Sequence, residues 1–224
     1  MATILHLETS TSVCSVGISV NGVLNSIQEE LNQPFSHAEK ITVFIQQVLN
    51  DANFNLNEVD AVAVTSGPGS YTGLRIGVST AKGICYALQK PLIAIDSLIS
   101  LANQASKLYP KMNICAAIDA RRMEIYSAIF NNELKVIKPI SADIIDENSY
   151  HPYDPLIVCG DGADKLQSIW SKRPIHFNLK LYASVKGQVN FAFEKYLNRE
   201  FEDLAYFEPF YLKDFFGKKL VNRK

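Results

Sequence analysis

Residues 61–89 constrain the fold more than any other stretch. Ala61-Val62-Ala63-Val64 is wholly apolar and reads as a strand buried on both faces of a sheet. Ser66-Gly67-Pro68-Gly69-Ser70-Tyr71-Thr72-Gly73 follows, with glycines and a proline that suit a tight turn and Ser70 or Thr72 placed to cap a helix. The helix expected from Tyr71 to Gln89 carries two charges, Arg75 and Lys82, and no acid. A free-standing surface helix would carry more. Arg75, Ser79, Lys82 and Tyr86 form one narrow polar strip. Gly73, Gly77 and Ala81 recur every four residues along another side, where a second backbone can come close. Such a helix is either buried in its own domain or covered by another chain. The loop resembles an anion-holding strand-to-helix turn, but no Gly-Lys-Ser/Thr follows, so it is not a Walker A loop.

The flanking patterns extend an α/β arrangement. Ile4–Glu8 and Val13–Val20 alternate apolar and polar residues, and Asn21-Gly22 signals a tight hairpin into a third strand, Val23–Gln28. Ser36 and Glu39 match a capping box, followed by an apolar stripe at Ile41, Phe44, Ile45, Val48 and Leu49. Leu92–Ile95 reads as a strand and Ser97–Leu108 as a helix. Strands then recur at Asn113–Asp119, Met123–Phe130, Leu134–Ile137 and Leu156–Cys159. A helix through Leu166, Ile169 and Trp170 follows, and another over Val185–Tyr196. Strands first, then alternating helices and strands, twice over, predict two related lobes, 1–105 and 106–224.

Several function classes lose support. Cys14, Cys85, Cys115 and Cys159 are scattered in apolar contexts, which argues for buried thiols and against a disulfide or zinc framework. The four histidines show no ligand spacing, so no metal site is expected. No charge-free run of ~18 apolar residues is present, and the start lacks a secretion-signal layout, so a cytoplasmic protein without membrane attachment is expected. Net charge is −1, yet Lys213, Lys218, Lys219, Arg223 and Lys224 make the C-terminal tail basic. A solvated end and a phosphate contact are both open for it.

Glu8, Asp96, Asp119 and Glu124 are the acid/base candidates. Asp119-Ala-Arg121-Arg122-Met-Glu124 reads first as an Arg–carboxylate cluster fixing a hairpin. Ser10 and Thr11 in one turn, and Gly160 and Gly162 in another, are candidates for holding a nucleotide phosphate. No nucleophile–base set emerges.

Leu7-Glu8-Thr9-Ser10-Thr11, Ser36-His37, Asp60–Val64, Ser66–Gly77, Ala116–Arg121 and Pro209-Phe210-Tyr211-Leu212 occur in the order found in the TsaB (YeaZ) family of bacterial tRNA threonylcarbamoyladenosine (t6A) biosynthesis proteins, which the chain resembles over nearly its whole length. The resemblance implies the actin-, Hsp70- and sugar-kinase-like (ASKHA) fold with two RNase H-like lobes. It implies a catalytic paralogue, TsaD, as heterodimer partner, a TsaE ATPase, contact with tRNA through the complex, and a homodimer when the chain is alone. Pairing through the two helices of the first lobe would place His37, Ile41, Phe44, Gly73, Leu74, Gly77, Thr80 and Ala81 at the partner interface. The paralogue's metal-binding HxxxH would align with Asp96-Ser-Leu-Ile-Ser100, which has neither histidine. A non-catalytic subunit is therefore expected, with no cofactor of its own and ATP entering only in the assembled complex. The alternative is a stand-alone ATP-dependent phosphotransferase of the sugar-kinase type; a peptidase has less support still.

Overall fold

The computed structural model describes residues 1–31 and 37–213. Ser36 of the expected capping box and the tail beyond Lys213 lie outside them. Among the described residues the strands form two five-stranded mixed sheets. The first contains β1 (Thr3–Glu8), β2 (Val13–Val20), β3 (Val23–Leu31), β4 (Ala61–Gly67) and β5 (Leu92–Asp96), in the order β3-β2-β1-β4-β5. The second contains β6 (Asn113–Asp119), β7 (Glu124–Phe130), β8 (Val136–Ile144), β9 (Leu156–Cys159) and β10 (His176–Asn178), in the order β10-β9-β6-β7-β8. In each sheet a three-stranded antiparallel unit adjoins parallel strands. The helices are α1 (His37–Asp51), α2 (Tyr71–Leu88), α3 (Ser97–Leu108), α4 (Ala163–Ile169) and α5 (Val189–Asn198). Among the described residues no helix is long and apolar enough to cross a membrane.

Local chemistry accounts for most of these elements. Asn21 and Gly22 both take positive φ, as the tight hairpin requires. The α1 stripe Ile41, Phe44, Ile45, Val48 and Leu49 is buried against β2 and the α2 residues Val78, Ala81 and Cys85. Ser70 caps α2 by accepting from Gly73 N, and Asp96 caps α3 by accepting from Leu98 N and Ile99 N. The core of the second sheet draws Leu98, Leu101, Ala102 and Ala105 from α3, whereas α5 returns to the first sheet through Ala192 against Ile4 and Ile93.

Three elements differ from the sequence expectation. β8 runs over Val136–Ile144 rather than Leu134–Ile137. Leu134 takes φ +61° in the preceding turn, and Pro139 is tolerated because β8 is an edge strand with register shifts. The three-residue β10 carries too little pattern to be seen in sequence. The helix expected from Val185 begins instead as a 3₁₀ turn, Val185–Gly187, before α5.

The closest packing of the first lobe is between α2 and the turn that follows β1. Ser70 N donates to Ser10 O (2.6 Å) and Thr9 Oγ1 donates to Gly73 O (2.8 Å). A Cβ on Gly73 would overlap the Thr9 carbonyl oxygen, and one on Gly77 would overlap Thr9 Oγ1. Gly83, on the exposed side of the same helix, has open space around it. Gly73→Ala should therefore destabilise the chain by about 3 kcal/mol, the upper range for overpacking. Gly83→Ala should stabilise it by about 0.5–1 kcal/mol through helix propensity alone. Urea unfolding of the two variants reads the opposite signs.

Candidate functional site

The turns expected to hold phosphate have their amide groups spent within the chain. Ser10 N donates to Glu8 Oε1 (2.6 Å). Gly73 N donates to Ser70 Oγ (3.2 Å). Gly160 N donates to Leu181 O and Gly162 N to Ala117 O, both at 3.1 Å. Ser10 and Thr11 are buried, and Gly160 and Gly162 lie directly against Ala117. A phosphate cradle needs free N–H groups pointing at one point in space. The N–H groups of Ser10, Gly160 and Gly162 are bonded within the chain, and Thr11 is buried, so these three amides are not free to cradle a phosphate.

Glu8 is instead the centre of a buried polar knot. Thr65 Oγ1 donates to its Oε2 (2.5 Å), and Gln188 Nε2 reaches both Thr65 Oγ1 (2.6 Å) and Leu7 O (3.1 Å). Burial raises the Glu8 carboxyl above its usual range, opposed by its hydrogen bonds to Ser10, Thr65 and Gln188. Gln188 arrives from the segment that closes the second lobe onto the first. In that segment Ser184 Oγ donates to Glu29, Lys186 pairs with Glu29 (2.6 Å) and Val185 N donates to Ser15 Oγ (3.2 Å). Asp96, a second acid/base candidate, is spent on the α3 cap, with burial raising its carboxyl and the two amide bonds lowering it.

The interface expectation is corrected in part. Ile41, Phe44, Gly73, Leu74, Gly77 and Ala81 are buried in their own lobe, and the small-residue stripe is filled by Thr9 rather than left for another subunit. His37 is half-buried and its Nε2–H donates to Thr11 O (2.8 Å). Thr80 alone of that set lines an open surface. It sits in a groove of about 390 Å³ between α1 and α2, with Thr42, Gln46, Phe54, Leu56 and Ile84. Sequence reasoning missed these neighbours, although a signal was present. Residues 41–50 contain no charge, and neither do 83–89. Over those residues the neighbouring surfaces of the two helices are thus uncharged, with Val43 50% and Tyr86 80% exposed.

The polar strip of α2 has a different use. Lys82 Nζ donates to Phe207 O (2.9 Å), and Arg75 Nε donates to Tyr211 OH (3.2 Å). The Arg75 guanidinium also lies 4.0 Å from the Tyr71 ring centroid. Phe210 N donates to Ser66 O (2.7 Å), and a Cβ on Gly67 would fall 2.5 Å from Phe210 O. Residues 202–213 thus run from the β5 edge, where Glu202 N donates to Leu92 O (2.9 Å), over the glycine loop to Lys213, which pairs with Glu124 in the second lobe.

The hairpin between β6 and β7 is not the expected Arg–carboxylate cluster. Asp119 pairs with Lys165 (2.5 Å) and Glu124 with Lys213. Arg121 and Arg122 are exposed and take φ +68° and +55° in succession, a conformation that costs a non-glycine residue on the order of 1 kcal/mol each. Asp161 accepts from Asp119 N (3.0 Å). Burial pushes its carboxyl up to about 6, with the Asp119 charge adding to the rise and the amide bonds and Lys165 opposing it. A raised native value stabilises below the ordinary value near 3.8, and that contribution is lost as pH rises through about 6. Asp161→Asn should therefore match the parent protein in thermal stability below about pH 4. Its advantage should grow between pH 4 and 6 and level off above; melting curves across that range test it.

Comparison with known proteins follows the same outline. A family model described as TsaD, tRNA N6-adenosine threonylcarbamoyltransferase, matches residues 33–215. A tRNA threonylcarbamoyladenosine biosynthesis protein TsaB from Haemophilus influenzae is 39% identical over 124 residues, covering 55% of this chain and 52% of that protein. The matched part thus spans about half the length of that relative. The protein of the same name from Buchnera aphidicola subsp. Schizaphis graminum is 29% identical over 201 residues, covering 86% of this chain and 93% of the relative. The solved structure of YeaZ from Pseudomonas aeruginosa superposes with a TM-score of 0.82 at 28% identity, covering 95% of this chain and all of that one. The two-lobed α/β architecture is that of the ASKHA fold. The chain belongs to the TsaD family, in its TsaB (YeaZ) branch.

Proposed function

We propose that the chain is a non-catalytic subunit in the synthesis of threonylcarbamoyladenosine on tRNA, and that it binds a TsaD-type paralogue through the outer faces of α1 and α2. The observation that carries this reading is the uncharged groove of about 390 Å³ between those helices, at a place where a free surface helix would carry charge. The names of the relatives supply the pathway. Closed phosphate turns and the carboxylate of Asp96 spent on a helix cap support the assignment of catalysis to the partner. In this reading the same face forms a homodimer when the chain is alone. A TsaE-type ATPase and the tRNA join through the assembled complex, in the cytoplasm, and ATP is used there.

The phosphotransferase alternative gains nothing from the geometry, because its phosphate loops would need the amide groups that Ser10, Gly160 and Gly162 have already spent.

The reading sets two measurements. Thr80→Lys and Gln46→Lys place charge in the groove without entering the core. Each should weaken association with the paralogue at least about tenfold in light scattering or calorimetry, the scale for an unpaired charge buried at an interface. Unchanged association with either would remove the proposed face. Depletion of the protein should lower t6A in bulk tRNA by mass spectrometry, and an unchanged level would remove the pathway assignment.

A further inference from the structure

The tip of the β6–β7 hairpin is the one strongly charged feature that the interface reading leaves unused. Arg121 and Arg122 are both exposed, and among the described residues neither side chain makes a hydrogen bond or ion pair. The acids around them are already compensated. Asp119 is held by Lys165, Glu124 by Lys213, and Asp161 is turned inward to accept from Asp119 N. What remains toward solvent is positive. The tip is also held in place. Ala120 N donates to Glu124 O (3.2 Å), Glu124 N to Arg121 O (3.3 Å), and Arg121 N to Asp119 Oδ1 (2.5 Å). Two arginines are therefore kept in consecutive left-handed conformations that asparagine or glycine would adopt more readily.

Position adds to charge. Phe210 bonds the glycine loop and Lys213 bonds the hairpin, three residues later, which limits their separation to about 10 Å. Guanidinium forks suit phosphate oxygens, and two of them on successive residues suit the closely spaced phosphates of a polyanion rather than a single ion.

We propose that Arg121 and Arg122 form a phosphate-backbone contact for RNA, which the reading above identifies as the tRNA acted on by the complex; the choice of tRNA rests on that reading. The contact is a binding contact, sequence-independent, and separate from the α1/α2 face.

The test uses the full chain, alone and with its paralogue, and a fluorescent unmodified tRNA transcript titrated at several salt concentrations. The R121N/R122G variant removes both charges while supplying residues that suit the backbone, so its melting temperature should hold or rise. Its affinity for the transcript should fall about tenfold or more at low salt. The slope of log affinity against log salt should shrink by about 1.5–2, as expected for two lost phosphate contacts. R121K/R122K should keep most of that slope. An unchanged slope in R121N/R122G, or no measurable transcript binding by the parent protein in either form, would overturn the proposal. So would a variant that loses the paralogue while keeping its RNA affinity, since the arginines would then serve a protein partner. If depletion left t6A unchanged while the arginine-dependent slope persisted, the pathway reading would fail and the RNA contact would stand. The reverse pattern would remove the contact alone.

Discussion

The contact between the α2 backbone and the turn after β1 sets the geometry of the first lobe. Helix and turn meet where Gly73 and Gly77 leave no side chain, and Thr9 fills the space they leave. The turn carbonyls are then satisfied by the helix itself, through Ser70 N on Ser10 O. In a buried place those polar groups need partners, since an unmade hydrogen bond costs about 1–3 kcal/mol. Meeting that need internally fixes the register of α2 against β1 and β4. It also fixes which α2 residues look outward, so the groove with α1 and the polar strip follow from the same contact. Arg75 and Lys82 then hold the C-terminal segment, and that segment reaches the second lobe at Glu124.

The same internal satisfaction runs through the joint between the lobes. Glu29 takes Ser15, Ser184 and Lys186 together, and Gln188 ties Leu7 to Thr65 beside Glu8. Gly187 is pressed against Ser100, and Asn103 Nδ2 donates to Gly187 O (2.9 Å). A hinge built to open around a ligand would leave such groups to water or to the ligand. Here they are bonded to one another across the lobes, although Ser10 Oγ and Gln188 Oε1 are among the buried atoms without a partner.

Where a residue's own chemistry decides local structure, the sequence was a good guide. Asn21-Gly22 forms its hairpin, Ser70 caps α2, and the α1 stripe buries the residues expected of it. Spacing could also show that Gly73 and Gly77 admit a close neighbour, because period four is a property of the helix alone. It could not show which neighbour, because that depends on the distance between β1 and α2, which the sheet order sets. The burial of most of the expected partner residues within their own lobe is a direct result. Ile41, Phe44, Leu74 and Ala81 lie on the apolar stripes, and apolar stripes in a two-layer lobe turn toward the sheet before they turn toward anything else. The hairpin acids failed as a cluster for a similar reason. Lys165 and Lys213 are 46 and 89 residues from Asp119 and Glu124, so local reading paired the acids with the nearest arginines instead.

Those long-range pairs change what the arginines can do. A guanidinium bonded to a neighbouring carboxylate would have little left for a ligand, since the exchange of one partner for another yields only the difference between two similar energies. With Asp119 and Glu124 taken by lysines, neither carboxylate draws on the two guanidinium groups, which among the described residues keep their donors for solvent. The two lysines are in turn anchored, Lys165 by Glu124 O (3.2 Å) as well as by Asp119. The hairpin thus separates charge that holds the turn from charge that faces outward. The first lobe makes the parallel separation on α2, where glycines hold the helix to its sheet and the uncharged outer face is left to a second surface. In both lobes the positions that pack the turn and the positions that meet solvent are different residues, so a substitution in one set need not disturb the other.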